Sequence, residues 1–403
     1  MEYKGITYLL KQLEAKRKRC LLRYKFYEQQ QKAEDFGIST PEGLRYFGAV
    51  NGWCTKAVDG LADRLQFYGF SNDQFEFAEM FNANNPDILF DNAILSALVT
   101  SCSFAYISKG IGLPRIQIID GSNATGEIDD FTNLMTEGVA VLDRDEKGKI
   151  VTFAYFLPGL TQVYTNGELV AEEKHGATYC ALVPIIYKPD ARRPFGHSRI
   201  SRACMDIAKS AMRTVKRSEI SAEFYSFPQK YATGLSQDAE MLDGWKATMS
   251  AMLSFTKDED GNSPTLGQFQ VGSMSPHMEQ LRAFASMFAG ETGLTLDDLG
   301  FVTSNPSSAE AIKASHETLR LACAKAQRCF GVGFINTGYI AACIRDDIAF
   351  DRTQVFNTKA EWRPTFEPDA NMLAQIGDGV QKLNLAIDGY IDADKMRRLT
   401  GID

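Results

Sequence analysis

The chain has 403 residues, 44% of them apolar and 23% charged, which is enough to bury a sizeable core and excludes wholesale disorder. At about 150 residues per domain this length makes two or three structural units. Lys and Arg number 43 against 51 Asp and Glu, a net charge of −8, so a sequence-independent nucleic-acid coat, which grips phosphates through cations, is excluded.

The eight cysteines follow no CxxC spacing, so free thiols in a reducing cytosol are the expectation. The start, Met-Glu-Tyr-Lys, carries no signal-peptide pattern. The longest uncharged runs, 92–108 and 329–344, are shorter than the roughly 20 apolar residues that span a bilayer, so the expected protein is soluble and intracellular.

In chain order, the first 32 residues hold nine Lys or Arg, among them Lys16, Arg19 and Arg23, with apolar positions Leu9, Leu13 and Cys20 at helical spacing. The plainer reading of this amphipathic helix is a solvated cationic face; the alternative is a docking site for an acidic partner. Thr40-Pro41 starts a further helical turn. Val50 to Leu65 reads as a helix ended by Gly69, and Ile88–Leu98 as another after Pro86. From Cys102 to about residue 188 the chain reads as one antiparallel meander, with strands at Cys102–Ser108, Arg115–Ile119, Gly138–Leu142, Ile150–Leu157, Leu160–Thr165 and Val183–Tyr187. Asn166-Gly167 marks its sharpest hairpin.

Helical spacing returns at Pro194-Phe195-Gly196-His197 and runs to about Tyr225, with Lys209, Arg213 and Lys216 off the apolar stripe. A compact stretch from Phe227 to Met274 follows, with Trp245 in a helical run and a turn at Lys257–Gly261. The next helix, from Ser275-Pro276 to Thr292, carries Glu279 and Arg282. After the loop Gly293–Pro306, Ser307 and Glu310 form a capping box that opens a long helix, with Gly331-Val332-Gly333 as the expected place for a bend. Extended chain over Thr353–Arg363 leads to a final helix with Met372, Ile376, Val380, Leu383 and Ile387.

No catalytic constellation emerges. A GxxxxGK[ST] loop is lacking, and Gly331-Val332-Gly333 sits inside a helical run rather than after a strand. His175, His197, His277 and His316 are isolated and read as surface or helix-end residues; no metal or cofactor pattern exists. Asp297-Asp298 could be an acid/base pair or bind a cation, but neighbouring side chains diverge, and a solvated loop charge is the simpler reading. Asn123-Ala124-Thr125 fits a glycosylation acceptor only by coincidence.

The order helices, meander, long helix, small unit, helix, loop and long helix resembles the portal (head–tail connector) proteins of tailed bacteriophages. The most specific stretch runs from Phe288 to Ala311 and contains Leu299-Gly300 and Asn305-Pro306-Ser307. Gln327-Arg328-Cys329-Phe330-Gly331, the helix from Asn51 to Leu65, Ala360–Pro364 and Asp378–Leu383 add to it. The resemblance implies an α+β, mainly helical subunit. Residues 1–196 would be its wing, 197–226 a stem helix, 227–274 the clip, 275–292 a second stem helix and 293–306 the tunnel loop. Residues 307–345 would be the long helix of wing and tunnel, 346–368 a wing strand segment, and 369–403 short crown helices.

It further implies a non-enzymatic ring, usually of about twelve copies, with no cofactor and no membrane. The ring would sit at a capsid vertex of the virion after assembly in the host cytoplasm. Double-stranded DNA would pass through it. Terminase, major capsid and scaffolding proteins, and head–tail adaptors would be its partners. Candidate tunnel-loop residues are Asp297, Asp298, Thr303, Ser304 and Asn305; candidate channel-lining residues are Lys209, Arg213, Lys216, Glu279 and Arg282. The alternatives are a minor capsid or cytosolic scaffold protein without a channel and, as an enzyme, a packaging nuclease or ATPase.

Overall fold

A computed structural model of the chain describes residues 3–33, 46, 48–226, 230–233, 265–270, 272–302, 314–366, 368 and 370–401. Thr40-Pro41, Trp245, the turn at Lys257–Gly261, Thr303, Ser304, Asn305 and the Ser307–Glu310 box lie outside the described residues. The described residues fall into two compact units, one within Met1–Gln30, Gly52–Met205 and Ala289–Asp403, the other within Gln31–Asn51 and Asp206–Phe288.

The chain begins with α1 (Ile6–Tyr27), α2 (Trp53–Ala62), β1 (Phe67–Ser71), α3 (Phe77–Asn82) and α4 (Pro86–Thr100). Strands β2 (Cys102–Ser108), β3 (Arg115–Ile119), β4 (Ala124–Ile128) and β5 (Met135–Arg144) follow. After them come β6 (Ile150–Leu157), β7 (Leu160–Thr165), β8 (Glu168–Lys174) and β9 (Leu182–Ile186). Next are α5 (Arg202–Ser226), β10 (Lys230–Thr233), β11 (Thr265–Gln268) and α6 (Ser275–Thr292). Last come α7 (Glu317–Asp346), β12 (Lys359–Trp362), α8 (Ala370–Ala386) and α9 (Ala393–Thr400). The fold class is α+β with antiparallel sheets.

Several boundaries differ from the sequence reading for identifiable reasons. The single meander is two sheets, ordered β3-β2-β9 and β4-β5-β6-β7-β8. Asp120 makes the switch between them: its carboxylate accepts the amide of Ser122 (2.7 Å) and the side chain of Asn123 (2.7 Å), turning the chain out of β3. The unforeseen β4 lacks alternation, and its Gly126 lies where a Cβ would stand 2.7 Å from the Cα of Gly138 in β5.

Gly69 does not end a helix. Here α2 stops at Ala62, and Gly69, with φ of +152°, forms a bulge in β1, which pairs with β12. The extended reading over Thr353–Arg363 holds only for β12; a 3₁₀ turn fills Arg352–Val355. The helix foreseen from Pro194 starts at Arg202, because Asp190 and Arg193 bridge each other's backbones and Gly196 takes a φ of +73°. The Asn166-Gly167 hairpin is present, with φ of +53° and +89°.

In the first unit α7 runs unbroken through Gly331 and Gly333. A Cβ on Gly331 would meet that of Ala360 in β12 at 2.9 Å, and one on Gly333 would meet the Cα of Ile185 in β9 at 3.2 Å. These glycines admit strands rather than bend the helix. Around them packs an aromatic core in which Phe67 lies 4.3 Å from Phe90, 5.1 Å from Phe334 and 5.1 Å from Trp362, centroid to centroid.

The start of α1 is held from the five-stranded sheet. The buried carboxylate of Glu137 accepts the amides of Lys4 and Gly5, both at 2.8 Å, and the hydroxyl of Tyr155 at 2.7 Å. His175 is not a surface residue; it is 7% exposed. In the second unit the Thr214 hydroxyl of α5 stands 3.0 Å from Gln280 Oε1 of α6, and Ser221 Oγ stands 3.3 Å from His277 Nε2. The two helices therefore run antiparallel there. Among the described residues no helix is long and apolar enough to cross a membrane.

Candidate functional site

The loop after α6 is built by local chemistry. Gly293, at a φ of +72°, closes α6 through its amide on Ala289 O at 2.8 Å. Thr295 and Asp298 then cap each other. The Thr295 amide and hydroxyl both donate to Asp298 Oδ2 at 2.9 Å, and the Asp298 amide donates to Thr295 Oγ1 at 3.1 Å. This reciprocal pattern opens the 3₁₀ turn Asp297–Leu299, and Gly300 ends it at a φ of +89°. Buried Leu294 and Leu299 hold the turn down.

The two adjacent aspartates consequently separate, as neighbouring side chains do. Asp297 is exposed, whereas Asp298 is half-buried with His316 Nδ1 at 4.0 Å. Thr303, Ser304 and Asn305 lie outside the described residues. Of the other candidates, Glu279 and Arg282 are exposed on α6, and Lys209 and Arg213 are half-buried on α5. Arg213 Nη2 donates to Ser210 Oγ at 3.0 Å, and Lys216 is 4% exposed. Among the described residues no three His, Cys, Asp or Glu side chains stand close enough to hold a metal ion.

A feature the sequence reading missed lies within the first unit: a cleft of about 860 Å³ between α1 and the segment from Lys188 to Arg202. Lys16, Arg19 and Arg23 line it from α1, and Lys188, Arg193, Arg199 and Arg202 from the other side. The structure fixes several of these cations on neutral groups. Lys16 Nζ lies 3.2 Å from Cys102 Sγ and 3.3 Å from Ala124 O, over the rings of Phe104 and Phe195. Arg23 Nε donates to Ile200 O at 3.2 Å. Arg199, 7% exposed, donates to Ala57 O at 3.1 Å and to Thr292 O.

Among the described residues none of the seven has a carboxylate oxygen within 4.0 Å. Glu291, the acid lining the cleft, accepts instead from Ser201 Oγ at 2.7 Å. His197 in the cleft wall has its own acid, Asp190, at 2.5 Å. Burial pulls the Arg23 guanidinium below its ordinary value, with Arg19 and Arg193 pushing the same way. Burial likewise lowers Lys188, with Arg199 adding to it. The sequence held one half of this signal, the cations of α1; the other half comes from Lys188 to Arg202, most of which the sequence reading took as the start of a helix and the structure holds as loop up to Arg202.

No protein-family model matches the chain. The chain is similar to the portal protein of Mycobacterium phage L5, at 24% identity over 318 residues that cover 73% of this chain and 65% of the relative. Its similarity to the portal protein of Mycobacterium phage D29 has the same identity and coverage. The chain thus spans just under two thirds of the length of these curated relatives. Among solved structures, a chain from the neck of a native gene transfer agent (GTA) particle computed with C12 symmetry covers 88% of this chain and 90% of its own, at 13% identity and a TM-score of 0.46. A chain from the virion of the native GTA particle gives the same coverage and identity with a TM-score of 0.45.

Proposed function

We propose that this chain is the subunit of a phage portal, a ring at one capsid vertex through which double-stranded DNA is packaged and later ejected. The observation that carries the reading is the similarity to two phage portal proteins over 318 residues. In this reading residues 1–196 and 346–368 are the wing, 197–226 and 275–292 the stem, 227–274 the clip and 293–306 the tunnel loop. Residues 307–345 are the long helix joining wing and tunnel, and 369–403 a short crown. The ring docks terminase and then the head–tail adaptors, contacts the capsid and scaffolding proteins, assembles in the host cytoplasm and ends in the virion. It works as a conduit and not as an enzyme.

Physics supports a conduit made of an acidic subunit. Each contact between a cation and a phosphate tightens binding and must be broken again as the duplex advances. A net charge of −8, with exposed Asp297 in the proposed tunnel loop, keeps such contacts few. Lys209, Arg213, Lys216, Glu279 and Arg282 are proposed to belong to the stem that surrounds the DNA.

Negative-stain imaging of the purified full chain tests the reading. Ring-shaped particles with a central hole are the expected result. Compact particles without a hole, across a range of salt and protein concentrations, would point to the scaffold alternative.

A further inference from the structure

We propose that the basic cleft between α1 and residues 188–202 is one half of the contact between neighbouring copies of this chain, and that it receives an acidic segment of the adjacent copy. The inference rests on the ring reading above and adds to it a surface and its chemistry.

The argument starts from charge. Seven cations converge on one cleft without an ion pair among the described residues, while the chain as a whole carries an excess of eight acids. Holding like charges together raises the energy of the isolated subunit; a carboxylate-bearing partner removes that repulsion. Backbone carbonyls and aromatic rings already hold Lys16, Arg23 and Arg199, so little side-chain freedom is lost on binding.

Size then selects the occupant. A cleft of about 860 Å³ has the dimensions of a site for a small molecule or a peptide segment. A rigid DNA duplex would touch only its rim, out of reach of buried Arg199 and half-buried Lys16, Arg23 and Lys188. A second copy supplies what fits. Since the cations concentrate here, the excess acid lies on the rest of the chain. The sheet-edge strand β8, exposed along nearly its whole length, presents Glu168 and Glu172 beside exposed Leu169 and Val170, while half-buried Glu173 accepts the Lys109 amide at 2.8 Å. A basic cleft on one copy and an acidic segment on the next are different patches, which is the heterologous geometry that closes into a ring.

Two measurements on the full chain test this. In the first, Arg19→Glu/Arg193→Glu reverses two exposed cleft cations that hold no backbone carbonyl. The concentration for half-assembly should rise about tenfold or more, while the circular dichroism spectrum and melting temperature of the subunit stay those of wild type. In the second, a benzophenone-carrying residue replaces Arg202, and the cross-linked peptides are identified by mass spectrometry. Cross-links from position 202 to an acidic peptide of another copy are expected.

If the double variant assembles like wild type and the cross-linker captures no second copy, the cleft is not the contact, although wild-type rings would leave the portal reading standing. Should added inorganic phosphate or an oligonucleotide occupy the cleft with assembly unchanged, the occupant is a phosphate and the proposal is overturned. A wild-type chain that never assembles would overturn both readings.

Discussion

At the scale of single residues, the buried acids and bases carry the sharpest expectations. Glu137 is 2% exposed and satisfies two backbone amides and a tyrosine hydroxyl. Glu137→Ala would leave the buried Tyr155 hydroxyl and the two part-buried amides without their acceptor and release the start of α1. A loss of about 3 kcal/mol is expected, read by denaturant unfolding; a loss under about 0.5 kcal/mol would mean that water replaces the carboxylate at no cost. His175 concerns pH. Burial, with Lys109 nearby, lowers its pKa from 6.5 to about 4. A base depressed in this way is folded in its neutral form, so its contribution to stability is complete above about 6.5 and is lost as the pH falls toward 4. Wild type should lose on the order of 2–3 kcal/mol more than His175→Gln between those limits, and identical pH profiles would show that the imidazole is hydrated. Neither role was legible in the sequence. Glu137 reads as a polar residue inside a strand, and an isolated histidine reads as surface, because Glu137 is met by the start of α1 and His175 lies near Lys109 and Asp347, all remote in the chain.

At the scale of elements, spacing was a good guide for strands that alternate and pair with a neighbour close in sequence, though not for β4, which lacks alternation. The Asn166-Gly167 turn and the strands β2, β3, β6 and β7 stand where alternation and turn residues put them. Reading failed where long-range packing set the outcome. The split of the meander into two sheets depends on β2 pairing with distant β9, and the glycines of α7 serve neighbours rather than a bend. Gly338 makes the second point testable. A Cβ there would stand 2.6 Å from the ring of Phe77 in α3, so Gly338→Ala should cost about 1–3 kcal/mol through overpacking, despite the better helix propensity of alanine. A stabilised variant in thermal unfolding would show that the Phe77 ring moves aside freely. The loop after α6 follows the local rule, since Thr295 and Asp298 are three apart and cap each other. Asp298→Ala should cost about 1 kcal/mol of local stability and speed amide exchange over residues 295–300. Unchanged exchange would assign the turn to Leu294 and Leu299 instead.

At the scale of the whole molecule, the candidate site was only partly legible. Asp297 and Asp298 were singled out together, yet the structure gives them different work: one is exposed, the other ties the turn. A charge test of the proposed tunnel should therefore use Asp297→Lys alone, which adds +2 per subunit and roughly +24 to a ring of about twelve without breaking the cap. Such rings should assemble normally and package DNA more slowly, with relief at higher salt. Wild-type packaging speed in low salt would mean that Asp297 does not face the DNA path. The resemblance to portal proteins came from strings spread along the chain, whereas the basic cleft, assembled from residues far apart, could not be seen before folding. The tunnel and cleft proposals depend on the chain closing into a ring, and the solution mass of the purified full chain, by light scattering or native mass spectrometry, tests that most directly. About twelve copies of 44.7 kDa give about 540 kDa, the predicted result. A single species below about 100 kDa, a monomer or dimer at every salt and protein concentration, would contradict it.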